Sequence, residues 1–200
     1  MNIIDSFVLQ NFHKTCIKLG GEGTVDALGW QNQNSQQIRF GMLEGIGNLN
    51  GCQVLDAGCG HGDLCVYLNN KYTNLHYTGI DMMQPFIDVA AKRCAHLTHT
   101  NFLHGDFFTA KLPPVDYVFA SGSLSYRNTV PRFIFRAVTK LFKQSRTGFG
   151  FNLLASVKGA PGLIATYPPE IIMQHCHTLT SKVVLQRGYY KDDYTIWMYH

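Results

Sequence analysis

Seven consecutive residues, Asp56-Ala57-Gly58-Cys59-Gly60-His61-Gly62, follow the apolar pair Val54 and Leu55 and run into a second apolar-spaced stretch at Leu64, Cys65 and Leu68. A backbone this bare, directly after a strand, lets a ligand lie where side chains would hold it away. It suits a pyrophosphate, an adenosine or no ligand at all. The dinucleotide pattern G-x-G-x-x-G accepts Gly58 and Gly60, but its third glycine falls on Asp63, and Gly62 comes one residue early. An acid at that point repels a pyrophosphate seated at the start of the following helix. Asp56 is equally misplaced beside phosphate, and well placed beside a cation.

Two more acids stand at comparable places. Asp81 closes the stretch "HYTGID" and either offers two acceptor oxygens to a ligand or serves as a structural turn residue. Asp106 follows "NFLHG" and either accepts from an amine or serves only as a loop residue. Beyond "VDYVFA" come Ser121, Gly122, Ser123, Leu124, Ser125 and Tyr126. Tyr126, Asn152, Tyr167 and Tyr190 are polar groups suited to a reacting centre, none is a base by type, and Tyr126 is the weak catalytic candidate. His61 reads as a group near the ligand or as an exposed loop residue.

Other reactive side chains point elsewhere. His175 and His177, two apart on a helix, face away from each other and make a poor metal pair. Cys16, Cys52, Cys59, Cys65, Cys94 and Cys176 show no C-x-x-C pair and no zinc spacing. Arg132, Arg136, Lys140 and Lys143 form one stripe opposite Ile134, Ala137, Val138 and Leu141, which reads as a solvated helix face. Nucleic-acid contact is the rival reading, without the aromatic interleaving that would favour it.

The elements that position these residues alternate. "QQIRFGMLEG" has helical spacing and ends on glycine; "CQVLDAG" is a buried strand and "DLCVYLNNK" a helix. "HYTGID", "NFLHGD", "VDYVFASG" and "GFGFNLLAS" are further strands, separated by helices at "QPFIDVAAKRCAHL" and "TVPRFIFRAVTKLFKQ". After the helix "YPPEIIMQHCHTL", the strands "SKVVLQRGYY" and "DYTIWMYH" are joined too closely to be anything but an antiparallel hairpin. The fold class is therefore α/β, a doubly wound and mostly parallel sheet with a reversed strand from the C-terminal hairpin at one edge.

From Arg39 to His200 the chain resembles the class I S-adenosylmethionine-dependent methyltransferases, whose fold is Rossmann-like. D-x-G-C-G-x-G from Asp56 is similar to their first motif, "YTGIDMM" to the second, "NFLHGDFF" to the third and "VDYVFASGSLSY" to the fourth. The resemblance implies S-adenosylmethionine as cofactor, with Asp56, Gly58, Cys59 and Gly60 around its amino-acid end. It implies Asp81 on the ribose hydroxyls, Met82 against the adenine, and Asp106 with the Phe107 N–H on the adenine edge. Ser121 would stand at the mouth of the transfer site. Arg39, on the helix before the first strand, would pair with the carboxylate unless it is a surface arginine. The family's Asn/Asp-Pro-Pro-Tyr sequence for amino methylation of bases is missing, which demotes DNA. The expected reaction is methyl transfer by in-line displacement to an unidentified, small-molecule acceptor. Alternatives are a non-catalytic cofactor-binding partner or regulatory subunit, an RNA methyltransferase and a nicotinamide-dependent oxidoreductase.

A chain of 200 residues with 46% apolar and 15% charged content is sized for one core. Its net charge of +4 permits an anionic partner without requiring one. Residues 36–200 read as the cofactor-binding domain. Residues 1–35 read as an irregular lead-in or lid, with Phe7, Phe12 and Trp30 among Gly20, Gly21 and Gly23. Those aromatics either close over the site or pack permanently on the sheet's helices. The connection 157–169 would supply part of a roof. The opening residues lack a basic n-region, no apolar run approaches the ~18 residues that cross a bilayer, and unpaired thiols suit a reducing cytoplasm.

Overall fold

The computed structural model describes residues 2–30, 32–156 and 162–200. Strands β1 (Gln53–Ala57), β2 (His76–Asp81), β3 (Thr100–His104), β4 (Val115–Ala120), β5 (Ser145–Leu154), β6 (Val183–Arg187) and β7 (Asp193–Tyr199) form a single sheet in the order β3-β2-β1-β4-β5-β7-β6. The pairings from β3 to β5 are parallel, and β7 runs antiparallel to both β5 and β6. The reversed strand is thus β7, one place in from the edge that β6 occupies. Strand order turns back between β1 and β4, and ligands of open α/β sheets bind at the carboxyl ends beside such a switch point.

Helices α2 (Gln33–Glu44), α3 (Asp63–Asn69), α4 (Gln84–Arg93), α5 (Phe133–Gln144) and α6 (Pro169–His177) cover the two faces. On α5 the buried residues Ile134, Ala137, Val138 and Leu141 fall on one face, where they join Phe149, Phe151 and Leu153 of β5 in the larger core. On the opposite face Phe40 and Leu43 of α2 pack with Leu64 and Leu68 of α3 over Val54, Tyr77 and Phe119. Side chains alternate along each strand, so Asp56, paired with Phe119, shares this second face.

The N-terminal region departs from the irregular lead-in expected of it. Residues Ile3–Gly20 form an 18-residue helix, α1, whose N-cap Asn2 accepts from the Asp5 N–H at 2.8 Å. Its buried residues are Asp5, Leu9 and His13, spaced by four. One acid, one leucine and one imidazole make a stripe that apolar periodicity does not reveal. Asp5 takes hydrogen bonds from the Thr129 N–H and hydroxyl, both at 2.9 Å, which ties α1 to the loop before α5. Phe7 is exposed, whereas Phe12 lies against Gly29. The two aromatics therefore do not act together. Of the connection 157–169, residues 157–161 lie outside the described residues.

Candidate cofactor and active site

The carboxyl ends of β1, β2 and β4, together with α1 and the segment before α2, enclose a cavity of about 810 Å³. Eleven of the residues singled out from the sequence line it: Asp56, Gly58, Cys59, Gly60, Asp81, Met82, Asp106, Phe107, Ser121, Tyr126 and Arg39. Tyr190 and Asn152 line it as well, but Tyr167 does not; its carbonyl accepts from the Tyr194 hydroxyl at 3.0 Å.

Gly58 and Gly60 have φ of +84° and +52°, where L side chains are strained. A Cβ on Gly58 would stand 2.3 Å from Ser123 Cβ, and one on Gly60 would stand 2.8 Å from Leu28 Cδ2. Residue Leu28 belongs to the N-terminal segment, so that segment rests directly on the glycine loop.

Asp56 is buried, and its Oδ2 accepts from the Tyr77 hydroxyl while Oδ1 has no partner among the described residues. Burial, with Asp81 and Asp63 nearby, pushes its pKa up to about 7. A buried acceptor left unsatisfied is costly, and a cationic ligand group relieves it. Asp81 accepts from the Gly60 and Met83 N–H groups, each at 2.9 Å, so it pins both the glycine loop and the start of α4. Burial raises its pKa despite those bonds. Each of its oxygens keeps a second lone pair for a diol. Asp106 accepts from the Phe108 N–H at 2.8 Å, and Lys140 holds the same loop by donating to the Phe108 and Ala110 carbonyls at 2.9 and 2.6 Å. Lys140 is in this way a loop anchor rather than part of a solvated face. Cys59 is buried with its thiol pushed well up, so it packs under the loop instead of reacting.

Arg39 takes a different partner from the cofactor carboxylate expected for it. Its Nε and Nη2 donate to the two oxygens of Asp193, both at 2.7 Å, and its guanidinium lies 4.6 Å from the Trp30 ring centroid. Asp193 gave no sequence signal, because the contact joins α2 to β7 across 154 residues. Among the described residues no cluster of three or more metal-ligating side chains exists. His175 bonds instead to the Phe135 carbonyl and the Thr139 hydroxyl, both at 3.0 Å.

His61 is neither exposed nor in the cavity wall. It is fully buried, both ring nitrogens lack partners among the described residues, and its ring meets Phe86 edge-on at 4.8 Å. Burial pushes its pKa down to about 4, from an ordinary 6.5. The neutral ring belongs to the folded state, so its stability is fully present above pH 6.5 and is lost as pH falls toward 4, where the unfolded chain takes up a proton first. The loss amounts to roughly 3 kcal/mol at about 1.4 kcal/mol per tenfold. Thermal melts from pH 7 to 4 should show this decline in the wild type and a shallower one in His61→Leu. Parallel profiles for the two chains would rule out His61 as its source.

Residues 54–145 match a family described as Methyltransferase domain. A magnesium-protoporphyrin O-methyltransferase of Rhodobacter capsulatus is 32% identical over 108 residues, covering 53% of this chain and 46% of the relative. A putative methyltransferase of Mycobacterium tuberculosis is 31% identical over 112 residues, covering 54% of this chain and 66% of the relative. The matches thus span between about half and two thirds of these relatives. Over residues 54–145 the chain thus carries a methyltransferase domain, in the stretch where its motifs resemble those of the S-adenosylmethionine-dependent enzymes. The fold of the chain agrees with that of a magnesium protoporphyrin IX methyltransferase from Synechocystis PCC 6803 with bound SAH. That structure superposes with a TM-score of 0.72 at 16% identity, over 96% of this chain and 98% of that one.

S-adenosylmethionine is the cofactor of this family, and the cavity suits it. The unpartnered Asp56 Oδ1 matches an ammonium, Asp81 matches the ribose diol, and the loop has no room for a Cβ at Gly58. Three carboxylates, Asp56, Asp63 and Asp81, surround the place where a dinucleotide would put its pyrophosphate. They disfavour that ligand on charge alone.

Proposed function

We propose that the protein transfers a methyl group from S-adenosylmethionine to a small-molecule acceptor. The observation that carries this reading is the orphaned Asp56 Oδ1 in the wall of a cavity that Asp81 and Asp106 share. Bound there, S-adenosylmethionine supplies a methyl carbon activated by the sulfonium. Asp56 and Ser121 would hold the amino-acid end, Asp81 the ribose, and Met82, Asp106 and Phe107 the adenine. The protein's further contribution is alignment of the two reactants and exclusion of water.

A small acceptor is supported by the cap. Leu9 and His13 of α1, with Leu28, Gly29 and Trp30, form the side of the cavity away from the sheet. Trp30 lies close over Gly122, where a Cβ would stand 3.2 Å from its ring. We infer that residues 1–35 act as a lid. A volume of about 810 Å³ accommodates the cofactor and a further compact molecule. A cytoplasmic setting is the one we favour, because all six cysteines carry free thiols. No helix among the described residues is long and apolar enough to cross a membrane.

Calorimetric titration with S-adenosylhomocysteine should give an affinity in the micromolar range, roughly −7 to −8 kcal/mol. Asp81→Ala removes the diol's acceptors and the tether of the glycine loop, and should weaken binding by about 1.5–3 kcal/mol. Wild-type protein should also pass tritium from labelled cofactor to a compound in a small-molecule cell extract. Labelling confined to RNA or DNA would overturn the choice of acceptor, and tight NAD binding with none of S-adenosylhomocysteine would overturn the cofactor.

A further inference from the structure

We propose that His13, carried on the cap helix α1, is the general base of the transfer, taking the proton from an acceptor hydroxyl or amine; this rests on the methyltransferase reading above. His13 lines the cavity yet is only 5% exposed. Its Nδ1 lies 3.2 Å from the Ala27 carbonyl, and a carbonyl can only accept, so Nδ1 carries the hydrogen. The lone pair is then on Nε2. Three rings hold the imidazole edge-on: Phe12 at 5.1 Å, Phe86 at 5.0 Å and Tyr126 at 5.5 Å. A base fixed in one tautomer and one orientation is what proton transfer to a positioned side chain requires.

Most of the carboxylates that line the cavity are committed elsewhere. Asp81 takes two backbone N–H groups and Asp193 takes Arg39. Asp63 takes Gln36 and Arg93. Asp56, at the end of β1, takes the Tyr77 hydroxyl and would face the cofactor's ammonium, and Asp106, beyond β3, takes the Phe108 N–H. Asp192 stands at the exposed rim. The Tyr126 hydroxyl is pushed far up by burial, so at neutral pH it holds its proton. His13 moves the other way, since burial lowers its pKa and keeps the ring neutral. The titratable groups around it are Tyr126 from the loop after β4, His61 from the glycine loop and Cys16 one turn along α1, with Asp81 and Asp26 behind them.

The acceptor's oxygen or nitrogen forms a bond to the methyl carbon while the carbon–sulfur bond breaks, its electron pair remaining on sulfur. The proton lost by the acceptor passes to His13 Nε2 and from the imidazolium to solvent. Because the base sits on α1, only a chain with its cap docked is competent. Cofactor binding and base delivery are thereby joined in one element.

Two readouts test this on the full chain. In ¹⁵N NMR of imidazole-labelled protein with S-adenosylhomocysteine, His13 should be the Nδ1–H tautomer and titrate below 6.5. An Nε2–H tautomer, or a midpoint at or above 6.5, overturns the proposal. His13→Asn keeps a donor for the Ala27 carbonyl and deletes Nε2. It should bind S-adenosylhomocysteine within about threefold of wild type and label the acceptor in the small-molecule extract about 10²–10⁴-fold more slowly. The slowing should hold through pH 8, and the variant should lack the acid limb that the wild type shows below pH 6.5. If the wild type labels an acceptor and His13→Asn labels it as fast, the base assignment fails. If the wild type labels nothing, the methyltransferase reading itself fails, and the proposal with it.

Discussion

A Gly58→Ala chain is expected to lose cofactor binding by more than a hundredfold while Gly51→Ala keeps it. Both glycines have positive φ, +84° and +69°, so both substitutions carry the same kind of backbone strain, about 1–2 kcal/mol. Only Gly58 also meets a neighbour. Its new Cβ would lie 2.3 Å from Ser123 Cβ, whereas a Cβ on Gly51 meets nothing within 4 Å. Ser123 has little room to retreat, because its hydroxyl donates to the Ala57 carbonyl and the residue begins a 3₁₀ turn at Ser123–Ser125. Overpacking of this kind adds about 1–3 kcal/mol. The relief open to the chain is to push the glycine loop away from the end of β4, which separates Asp56 from Ser121 and breaks the cradle. Calorimetry with S-adenosylhomocysteine, alongside thermal melts of both variants, separates the two contributions. Wild-type affinity in Gly58→Ala would show that the loop does not touch the ligand.

Why Gly58 was legible and His13 was not has a physical answer. The glycine loop announces itself locally, since the acid, the two glycines and the flanking strand and helix lie within one short stretch. Asp81 and Asp106 are equally local, each at the end of an apolar run whose parallel neighbours fix its place. The hairpin was legible because too few residues join β6 and β7 to permit any crossover. Alternation and spacing therefore reach the sheet and the cofactor face of the cavity. They do not reach α1, whose inward face is Asp5, Leu9 and His13, and whose outward face leaves Ile3, Ile4 and Phe7 exposed. Apolar residues on the wrong side of a helix erase the pattern that marks one. His61 was misjudged for a related reason: a polar residue in a glycine loop looks exposed until Phe86 of α4 is seen to cover it. The partner of Arg39 was beyond local reading altogether, as it is supplied by the far end of the chain.

That partner gives a prediction whose sign separates two roles for one arginine. The Asp193 side chain is 1% exposed and that of Arg39 15%, so the bidentate pair is held largely out of water. Removing one member of such a pair strands the other, at about 3–5 kcal/mol. Asp193→Ala should lower Tm by roughly 6–20 °C for a chain of this size. The double variant Arg39→Met, Asp193→Leu should recover most of the loss, because two apolar groups leave no buried charge behind. Affinity for S-adenosylhomocysteine then decides the function of Arg39. If the guanidinium were destined for the cofactor carboxylate, freeing it from Asp193 would tighten binding. With Asp193 as its proper partner, the freed guanidinium shifts off Trp30, and the wall that Trp30 builds over Gly122 loosens with it. Binding should weaken by about tenfold, or roughly 1.4 kcal/mol. An Asp193→Ala chain that binds S-adenosylhomocysteine more tightly than wild type would return Arg39 to the cofactor.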